Sequence, residues 1–292
     1  FAHGAQTVCY FRWRQAPFGQ EQMHAGLLRP DSAHAPGLAE AEAVARELAD
    51  APQAQTAPGD VALVFDYASA WAWQTQPQGA DFDYFRLCFA WYRALRRLGL
   101  NIDIVAPDTT DLSRWKLVLA PGLFTLPDAL RDALPSCPGA VVFGPRANSR
   151  CPDFSILPDL GPSLPGLDCG VARVESLPPG STVPLKGGGR FVHWVEELET
   201  TADAVLSRED GQPAMVRAGG LHYLAGWPDD DTLFALLRDL CAAQGLTTMD
   251  LPPALRTRSD GASRFWFNHG ATPLSWNGLH LPPCAVLRVV DR

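Results

Sequence analysis

Short apolar runs recur through the middle of the chain, and polar or amphipathic segments separate them. Four of these runs are rich in Val, Ile, Leu and Phe and are too short for helices: 61–66, 102–105, 117–120 and 140–143. Parallel strands covered by helices on both faces have this continuous apolar pattern. Further strands are predicted at 191–194, 204–207, 214–217 and 222–225, and helices at 81–98, 128–134 and 231–244. This succession predicts a parallel α/β sheet with right-handed crossovers between residues 60 and 250.

The segment 81–98 has the clearest helical periodicity. Aromatic residues recur in it at spacings of three and four: Phe82, Phe85, Phe89 and Tyr92. Residues at this spacing lie on one face of a helix, which Cys88, Trp91, Leu95 and Leu98 widen, so this face is predicted to pack in the core. Replacing Phe85 or Phe89 by alanine is then expected to cost about 3–5 kcal/mol of stability.

The first part of the chain, residues 1–51, has the pattern of one strand followed by one helix. β-Forming residues are dense at 7–13, and Ala, Glu and Leu alternate at 38–50, which favours a helix. The segment 51–59 is dominated by Pro, Gln and Ala and predicts a linker. The strand-plus-helix unit is therefore expected to be separate from the α/β sheet.

Two later segments depart from the α/β pattern. Residues 151–190 are rich in Pro and Gly and are expected to cross the protein surface. Residues 251–292 contain short β segments at 264–267 and 285–290. Because about forty residues cannot bury a core of their own, this last part is predicted to be a small antiparallel sheet that packs on another part of the protein.

Composition excludes several classes of protein. Hydrophobic residues make up 47% of the chain and charged residues 19%, which excludes general disorder. The formal net charge is −8 and no basic stripe is present, so nucleic acid is not an expected partner. No apolar run reaches the roughly 18–20 residues that cross a bilayer, so no membrane-spanning segment is predicted.

The cysteines indicate a reduced, cytoplasmic protein. Their number is odd and their spacing contains no CxxC pair: Cys9, Cys88, Cys137, Cys151, Cys169, Cys241 and Cys284. Several lie within apolar runs. This pattern predicts buried free thiols rather than a disulfide framework or a zinc site.

The α/β segment lacks the motifs of two common α/β functions. The glycine run at 187–189 is not a G-x-G-x-x-G motif and does not follow a first strand, which argues against a dinucleotide site. An amidotransferase would need a cysteine on a strand-to-helix elbow, but the sequence after the strand at 140–143 is GPRAN, and Cys151 comes later. The domain is therefore predicted to be catalytically silent, with His193 and His222 as structural residues of strands.

A dense group of aromatic, arginine and acidic residues lies near the start of the chain. The sequence YFRWRQ at 10–15 is followed by EQMH at 21–24. Aromatic rings can cover the apolar face of a sugar while a carboxylate and an imidazole bind its hydroxyls. In the alternative interpretation, Phe11 and Trp13 belong to a core and Glu21 and His24 form a surface pair. Residue types alone leave both interpretations open.

The chain resembles glycoside hydrolase family 42, the bacterial β-galactosidases. The most specific likeness is near the start, in AHGA at 2–5, YFRWRQ at 10–15 and QEQMHAG at 20–26. Supporting likeness follows in DFDYF at 81–85, APG at 120–122, FGPR at 143–146, FNH at 267–269 and PPCAVLRVV at 282–290. The resemblance therefore extends along the whole chain.

The resemblance implies three domains. Residues 1–51 would be the C-terminal end of a catalytic TIM (β/α)₈ barrel, which needs roughly 250 residues, so most of the barrel would precede Phe1. Residues 60–250 would be the α/β trimerisation domain, whose fold is like an amidotransferase without its nucleophile. Residues 251–292 would be a small C-terminal antiparallel β domain.

The resemblance also implies site residues. The family retains anomeric configuration, which requires two glutamates on barrel strands, and both are expected before Phe1. No catalytic residue, no metal ligand and no cofactor is therefore assigned to this chain. By match to the motif, Phe11 corresponds to an aromatic residue at the galactose site, Glu21 to a sugar-binding glutamate and His24 to a hydroxyl-binding histidine.

The resulting functional prediction is the C-terminal portion of a retaining β-galactosidase, a cytoplasmic hydrolase (glycosidase) of carbohydrate metabolism. It would supply part of the galactose subsite and the oligomerisation domain of a homotrimer, whose active sites are walled by the neighbouring subunit. Trp71 and Trp73 are candidates for that interface, and a core role is the alternative for them. The alternative is a non-catalytic assembly and sugar-contact module with an inactive amidotransferase-like fold.

Overall fold

The computed structural model describes residues 1–49 and 57–290. The chain divides into two compact units. The small unit comprises residues 1–57, 258–265 and 286–292, and the large unit comprises 58–257 and 266–285. Most of the linker predicted at 51–59 lies outside the described residues. Among those residues, no helix is both long enough and apolar enough to cross a membrane.

The secondary structure follows the predicted α/β order with several additions. The helices are α1 (Pro36–Ala49), α2 (Tyr67–Thr75), α3 (Tyr84–Arg97), α4 (Asp128–Ala133) and α5 (Asp230–Ala243), with a 3₁₀ turn at Leu134–Ser136. The first eight strands are β1 (Val61–Val64), β2 (Ile102–Val105), β3 (Leu117–Ala120), β4 (Ala140–Phe143), β5 (Cys169–Ser176), β6 (Thr182–Pro184), β7 (Arg190–Thr200) and β8 (Asp203–Ser207). The others are β9 (Pro213–Ala218), β10 (Leu221–Leu224), β11 (Gly226–Pro228), β12 (Leu255–Ser259), β13 (Ser263–Asn268), β14 (Leu274–Trp276), β15 (Leu279–Leu281) and β16 (Val286–Val290).

The large unit is built on a seven-stranded mixed sheet in the order β2-β1-β3-β4-β10-β9-β8. Strands β2, β1, β3, β4 and β10 pair in parallel, whereas β9 and β8 pair antiparallel. In β1, Val61 and Leu63 belong to one buried cluster and Ala62 and Val64 to another. Both faces of the sheet are thus covered, which explains the continuous apolar runs of its parallel strands.

Helix α3 forms where predicted, but only part of the predicted face is buried. Leu87, Trp91 and Leu95 are buried in the core, whereas Phe85 and Phe89 are exposed. Residues two apart lie about 200° apart around a helix, so Phe89 faces away from the side that carries Trp91. The prediction that Phe85 and Phe89 are core residues is wrong, and with it the stability loss expected for their replacement.

Residues 151–190 are only in part the predicted surface excursion. Strand β5 pairs with β7, and β6 and β11 pair with β7 as well, which gives a second, antiparallel sheet. Leu164, Leu167 and Leu185 are buried. These apolar residues are spaced among prolines and glycines, which concealed the strands in the sequence.

The last part of the chain forms the short β elements that were predicted. Strands β12, β13 and β16 make a three-stranded sheet, and β14 and β15 make a separate antiparallel hairpin. Leu251, Leu255, Trp266 and Leu281 form a small buried cluster. This cluster is much smaller than the two that flank the main sheet, as expected for a segment of this length.

The strand predicted at 7–13 is absent. Residues 12–15 instead run alongside 27–28 through three backbone hydrogen bonds: Leu27 N to Arg12 O at 2.9 Å, Leu28 N to Trp13 O at 2.7 Å and Gln15 N to Leu28 O at 3.0 Å. A buried strand needs partners along its length, and the described residues provide only this short stretch beside it. Its β-forming residues are consequently exposed, Tyr10, Phe11 and Trp13 among them.

Candidate functional site

The three predicted sugar-binding residues come together in the small unit. The rings of Phe11 and His24 meet edge to face, with 5.5 Å between their centroids. Glu21 joins them through Arg12, whose Nη1 lies 3.2 Å from Glu21 Oε2. The Arg12 guanidinium carbon is also 5.6 Å from the centroid of the Phe11 ring. One aromatic ring, one carboxylate, one imidazole and one guanidinium therefore share a single site.

Backbone contacts hold the two segments of this site together. His24 N donates to Glu21 O at 3.1 Å, which closes a turn, and Gln15 Nε2 donates to Gln22 O at 2.8 Å. Gly26 packs so closely that a Cβ there would lie 2.6 Å from Gln15 N. A side chain at this position would push the loop away, so glycine is required where the turn returns to residues 12–15.

The site faces solvent. Within this chain Phe11 is 64% exposed and Trp13 63%. The side-chain partner of Glu21 is Arg12, which the sequence interpretation did not single out. An arginine directly after the predicted sugar-stacking ring was the available signal, since a guanidinium can hold a carboxylate in a fixed orientation.

Comparison with known proteins decides the family. A family model described as beta-galactosidase trimerisation domain matches residues 59–247, and a model described as beta-galactosidase matches residues 1–51. The chain belongs to glycoside hydrolase family 42. The predicted family is thereby confirmed.

Relatives of this family 42 chain are similar over most of its length. A beta-galactosidase of Thermus thermophilus is 45% identical over 274 residues, which cover 92% of this chain and 42% of the relative. The beta-galactosidase Bga of Halorubrum lacusprofundi is 34% identical over 295 residues, which cover 91% of this chain and 42% of the relative. The chain thus spans less than half the length of these relatives.

Solved structures confirm the predicted fold class. The beta-galactosidase of the psychrophilic Marinomonas ef1 matches with a TM-score of 0.90 and 34% identity, over 100% of this chain and 48% of the other. That of the Antarctic haloarchaeon Halorubrum lacusprofundi matches with a TM-score of 0.91 and 31% identity, over 99% and 48%. The family 42 chain therefore combines the end of a barrel, an α/β domain built on a mixed sheet and small antiparallel sheets.

The turn after β4 carries Arg146, and none of residues 144–148 is a cysteine. Arg146 has a backbone φ of 61°, in the left-handed region. Within the described residues, no group of three or more His, Cys, Asp or Glu side chains is placed to hold a metal ion.

The predicted histidine and cysteine environments are partly corrected. His193 Nδ1 lies 2.6 Å from Asp81 Oδ2, and His222 Nδ1 lies 3.0 Å from Gly220 O, with burial lowering the pKa of His222. All seven cysteines are free, as predicted. Cys9 and Cys284 are exposed, however, so the expectation of buried thiols is wrong for these two.

The rate of thiol labelling is expected to differ strongly between the exposed and the buried cysteines. Burial raises the pKa of Cys88, Cys169 and Cys241 to about 12, so almost no thiolate forms there at neutral pH. We expect iodoacetamide to label Cys9 and Cys284 at least about 100-fold faster than these three, as measured by mass spectrometry of peptides over time. Rapid labelling confined to Cys151 would instead support a reactive amidotransferase-like thiol.

Exposed aromatic residues form a patch on the large unit. We call Tyr67, Trp71, Phe85 and Phe89 the aromatic patch, since all four are exposed. The Tyr67 ring centroid lies 6.4 Å from that of Trp71 and 6.1 Å from that of Phe85. Trp73, the other interface candidate, is buried and stacks on Phe82, so the alternative core role applies to it.

Proposed function

We propose that this chain is a portion of a retaining β-galactosidase. The full natural polypeptide would hydrolyse terminal β-D-galactosides. The observation that carries this proposal is the exposed cluster of Phe11, Glu21 and His24 in a chain of family 42. The name beta-galactosidase that its relatives bear supports it. The enzyme would be a cytoplasmic glycosidase of carbohydrate metabolism.

In this proposal the chain is divided by role. Residues 1–51 complete the catalytic barrel and supply part of the galactose subsite. Residues 60–250 are the trimerisation domain, and residues 251–292 are the small β domain. The two catalytic carboxylates of a retaining glycosidase lie about 5–5.5 Å apart, and we assign neither of them to this chain.

The residues of the cluster have separate tasks in binding. The exposed face of Phe11 covers the apolar C–H side of the galactose ring. Glu21 accepts hydrogen bonds from sugar hydroxyls, and His24 donates or accepts one according to its tautomer. Arg12 holds the Glu21 carboxylate in place through the 3.2 Å ion pair. These contacts orient the glycosidic bond and leave bond cleavage to the carboxylate pair.

Hydrolysis of a chromogenic β-galactoside tests the proposal. The assay compares this chain with the full natural polypeptide at equal molar concentration. We expect turnover by the full natural polypeptide and none by the chain alone. Turnover by the chain alone would mean that it contains a catalytic carboxylate pair, and Glu21 would be the first residue to test as one of the two. Galactose binding without turnover by the full natural polypeptide would instead favour the non-catalytic sugar-contact module.

Replacement of Glu21 or His24 is expected to weaken catalysis. In the full natural polypeptide, Glu21→Ala and His24→Ala each remove a hydrogen bond to bound galactoside and should cost about 1–3 kcal/mol of transition-state binding. This corresponds to a decrease in kcat/KM of roughly 5- to 150-fold. The exposed residue Glu40, on α1, provides the matched control Glu40→Ala. Unchanged kcat/KM in both site variants would contradict the assignment of these residues.

We also propose that the aromatic patch forms the contact between subunits of a homotrimer. Exposed aromatic residues are enriched at protein interfaces, and the family model that matches residues 59–247 is described as a trimerisation domain. Burial of these rings against a neighbouring subunit would remove them from water. The patch therefore offers a specific position at which the assembly can be tested.

A charge in the aromatic patch is expected to dissociate the trimer. Trp71→Glu would place a carboxylate in the buried centre of the contact and weaken each contact by about 2 kcal/mol or more. Analytical ultracentrifugation should show trimers for the unmodified protein and monomers for this variant. Ile104→Glu, at an exposed position of β2 outside the patch, serves as control. Trimers in both variants would exclude the patch as the contact.

A further inference from the structure

An open cleft of about 450 Å³ lies in the large unit between α3, strands β7 and β11, and the start of α5. We call it the α3–α5 cleft. Its volume is within the roughly 300–1,000 Å³ that is usual for sites of small ligands. Phe89 lines it, whereas the other three residues of the aromatic patch do not. The cleft is separate from the proposed galactose subsite, whose residues belong to the small unit.

Two polar side chains of the lining lie against the ring of Trp227. The Arg86 guanidinium carbon is 5.9 Å from the ring centroid, and the centroid of the His193 ring is 4.9 Å from it. Arg86 belongs to α3 and His193 to β7. The fold therefore brings a guanidinium and an imidazole from separate elements to one ring of the cleft.

The backbone of β7 is irregular at His193. Its φ is 62°, in the left-handed region. The register between β7 and β11 shifts at the same place, because Val192 pairs with Trp227 but Val195 pairs with Gly226. His193 and the residue after it thus have no pairing partner in β11. Bulges and strained residues of this kind redirect side chains and are concentrated at functional sites.

Three side chains of the lining have hydrogen-bonding atoms without a partner in the described part of the chain. His193 Nδ1 lies 2.6 Å from Asp81 Oδ2 and carries a proton, because a carboxylate only accepts. Nε2 of the neutral imidazole is then a free acceptor. The Arg86 guanidinium and the Asp231 carboxylate make no hydrogen bond or ion pair there either.

These three side chains are accessible from the cleft. Arg86 and Asp231 are exposed residues. The His193 side chain is 17% exposed, and its Nε2 is not among the buried atoms that lack a partner. All three residues line the cleft, so a ligand in it can reach them.

The charges of the lining favour a neutral ligand. Asp229 and Asp230 each form an ion pair with an arginine. Arg86 and Asp231 remain, with one charge of each sign. A ligand with a net charge would be attracted by one of these two groups and repelled by the other.

The free atoms call for a ligand that both donates and accepts hydrogen bonds. A carboxylate or phosphate only accepts, so it would leave His193 Nε2 and Asp231 without a donor. An ammonium group only donates, so it would leave Arg86 without an acceptor. A hydroxyl does both. Several hydroxyls on one small framework would therefore satisfy all three side chains.

We propose that the α3–α5 cleft binds a neutral pyranose sugar. Hydroxyls of the sugar would donate to His193 Nε2 and to the Asp231 carboxylate, and one would accept from Arg86. The C–H groups of the ring would contact the apolar part of the lining, which includes Ala90 and Val192. The cleft would be a sugar site in addition to the proposed galactose subsite and independent of it.

Saturation-transfer NMR tests the proposal on the full natural polypeptide. The protein carries Glu21→Ala and His24→Ala, which weaken the proposed galactose subsite, and D-galactose and D-glucose are titrated separately. We expect saturable binding of at least one of these sugars. Sodium acetate and methylammonium chloride, at constant ionic strength, should not displace it. The proposal is overturned if neither sugar saturates, or if either salt displaces the bound sugar.

Two further variants locate the binding in the cleft. Arg86→Ala and Asp231→Ala each remove an exposed group without an ion pair, so the unfolding midpoint should change little while the Kd of the sugar rises at least about fivefold. Arg238→Ala and Asp132→Ala are matched controls, because both residues are exposed, helical and outside the lining. Their Kd should be unchanged. Equal Kd values in all four variants would place the sugar elsewhere and overturn the proposal.

The Trp71→Glu variant separates the cleft from the proposed subunit contact. Phe89 belongs both to the aromatic patch and to the lining, so a contact that covered the whole cleft would exclude the sugar. We expect the same Kd with and without Trp71→Glu. Binding that appears only in this variant would show that assembly closes the cleft, which contradicts a sugar site in the assembled protein.

Discussion

Replacement of Trp91 by alanine is expected to lower the free energy of unfolding by about 3–5 kcal/mol. Trp91 is fully buried in the cluster between α3 and the main sheet, where Leu87 and Leu95 flank it on the same helix. Removal of the indole leaves a cavity that the surrounding strands cannot close. Trp91 Nε1 has no hydrogen-bond partner, so the replacement breaks no hydrogen bond and the expected loss comes from packing.

Phe89→Ala is the matched control for Trp91→Ala. Both residues are aromatic and belong to α3, but Phe89 is 58% exposed, so its replacement should change the free energy of unfolding by no more than about 0.5 kcal/mol. Denaturant unfolding of the dissociated monomer measures both values, because the proposed trimer contact would bury Phe89. Equal losses in the two variants would mean that the burial of α3 is assigned to the wrong face.

Replacement of Glu196 by alanine is expected to lower the free energy of unfolding by a similar amount, because its buried carboxylate accepts hydrogen bonds in the core. The carboxylate accepts three hydrogen bonds in the core, from Arg146 N, Trp194 Nε1 and Tyr223 Oη. Its loss leaves three buried donors unpaired and removes the negative charge nearest to the buried Arg146 guanidinium. Breaking such a buried arrangement from one side costs about 3–5 kcal/mol.

Glu197 provides the control for Glu196 because the two are neighbours in β7. The Glu197 side chain is partly exposed, and its ion pair with Arg173 spans 3.5 Å at the surface. Glu197→Ala should therefore change stability by about 0–1 kcal/mol. Thermal and denaturant unfolding of both variants test this contrast. A small loss in Glu196→Ala would show that the core tolerates the three unpaired donors.

The parallel strands were predictable because burial on both faces leaves an unambiguous pattern. Strands β3 and β4 are buried at every position and have the predicted bounds to the residue, as does the partly exposed edge strand β2. Helix α2 was missed because it is apolar on its exposed side as well as on its buried side, so its sequence lacks a helical period. The strands β5 and β6 were missed because prolines and glycines near them outweighed their β-forming residues.

Aromatic residues were the least predictable part of the large unit. Trp71 and Trp73 are two residues apart, and both faces of the segment carry rings, so periodicity could not tell which ring is buried. The same ambiguity placed Phe85 and Phe89 of α3 in the core, although both are exposed. Only the helices and strands packed against each segment decide the orientation, and these contacts are long-range.

The residues of the candidate site were predictable from the sequence, but the ion pair that links Arg12 to Glu21 was not. Phe11, Glu21 and His24 follow from the motif at 10–26, and the structure brings them together. The ion pair between Arg12 and Glu21 depends on how the loop returns to residues 12–15. Backbone hydrogen bonds set the path of this loop, and the pattern of side chains in the sequence does not reveal them.

The sheet order has a consequence for synthesis on the ribosome. Strand β4 pairs on one side with β3 and on the other with β10, whose first residue, Leu221, comes 78 positions after Phe143 (221 − 143). At about 5–20 residues per second, the nascent chain therefore waits roughly 4–16 s with the far edge of β4 open. During that interval the four strands already made offer unpaired amide and carbonyl groups to other polypeptides. Translation speed between the codons for β4 and β10 thus sets how long the growing protein is exposed to misassembly.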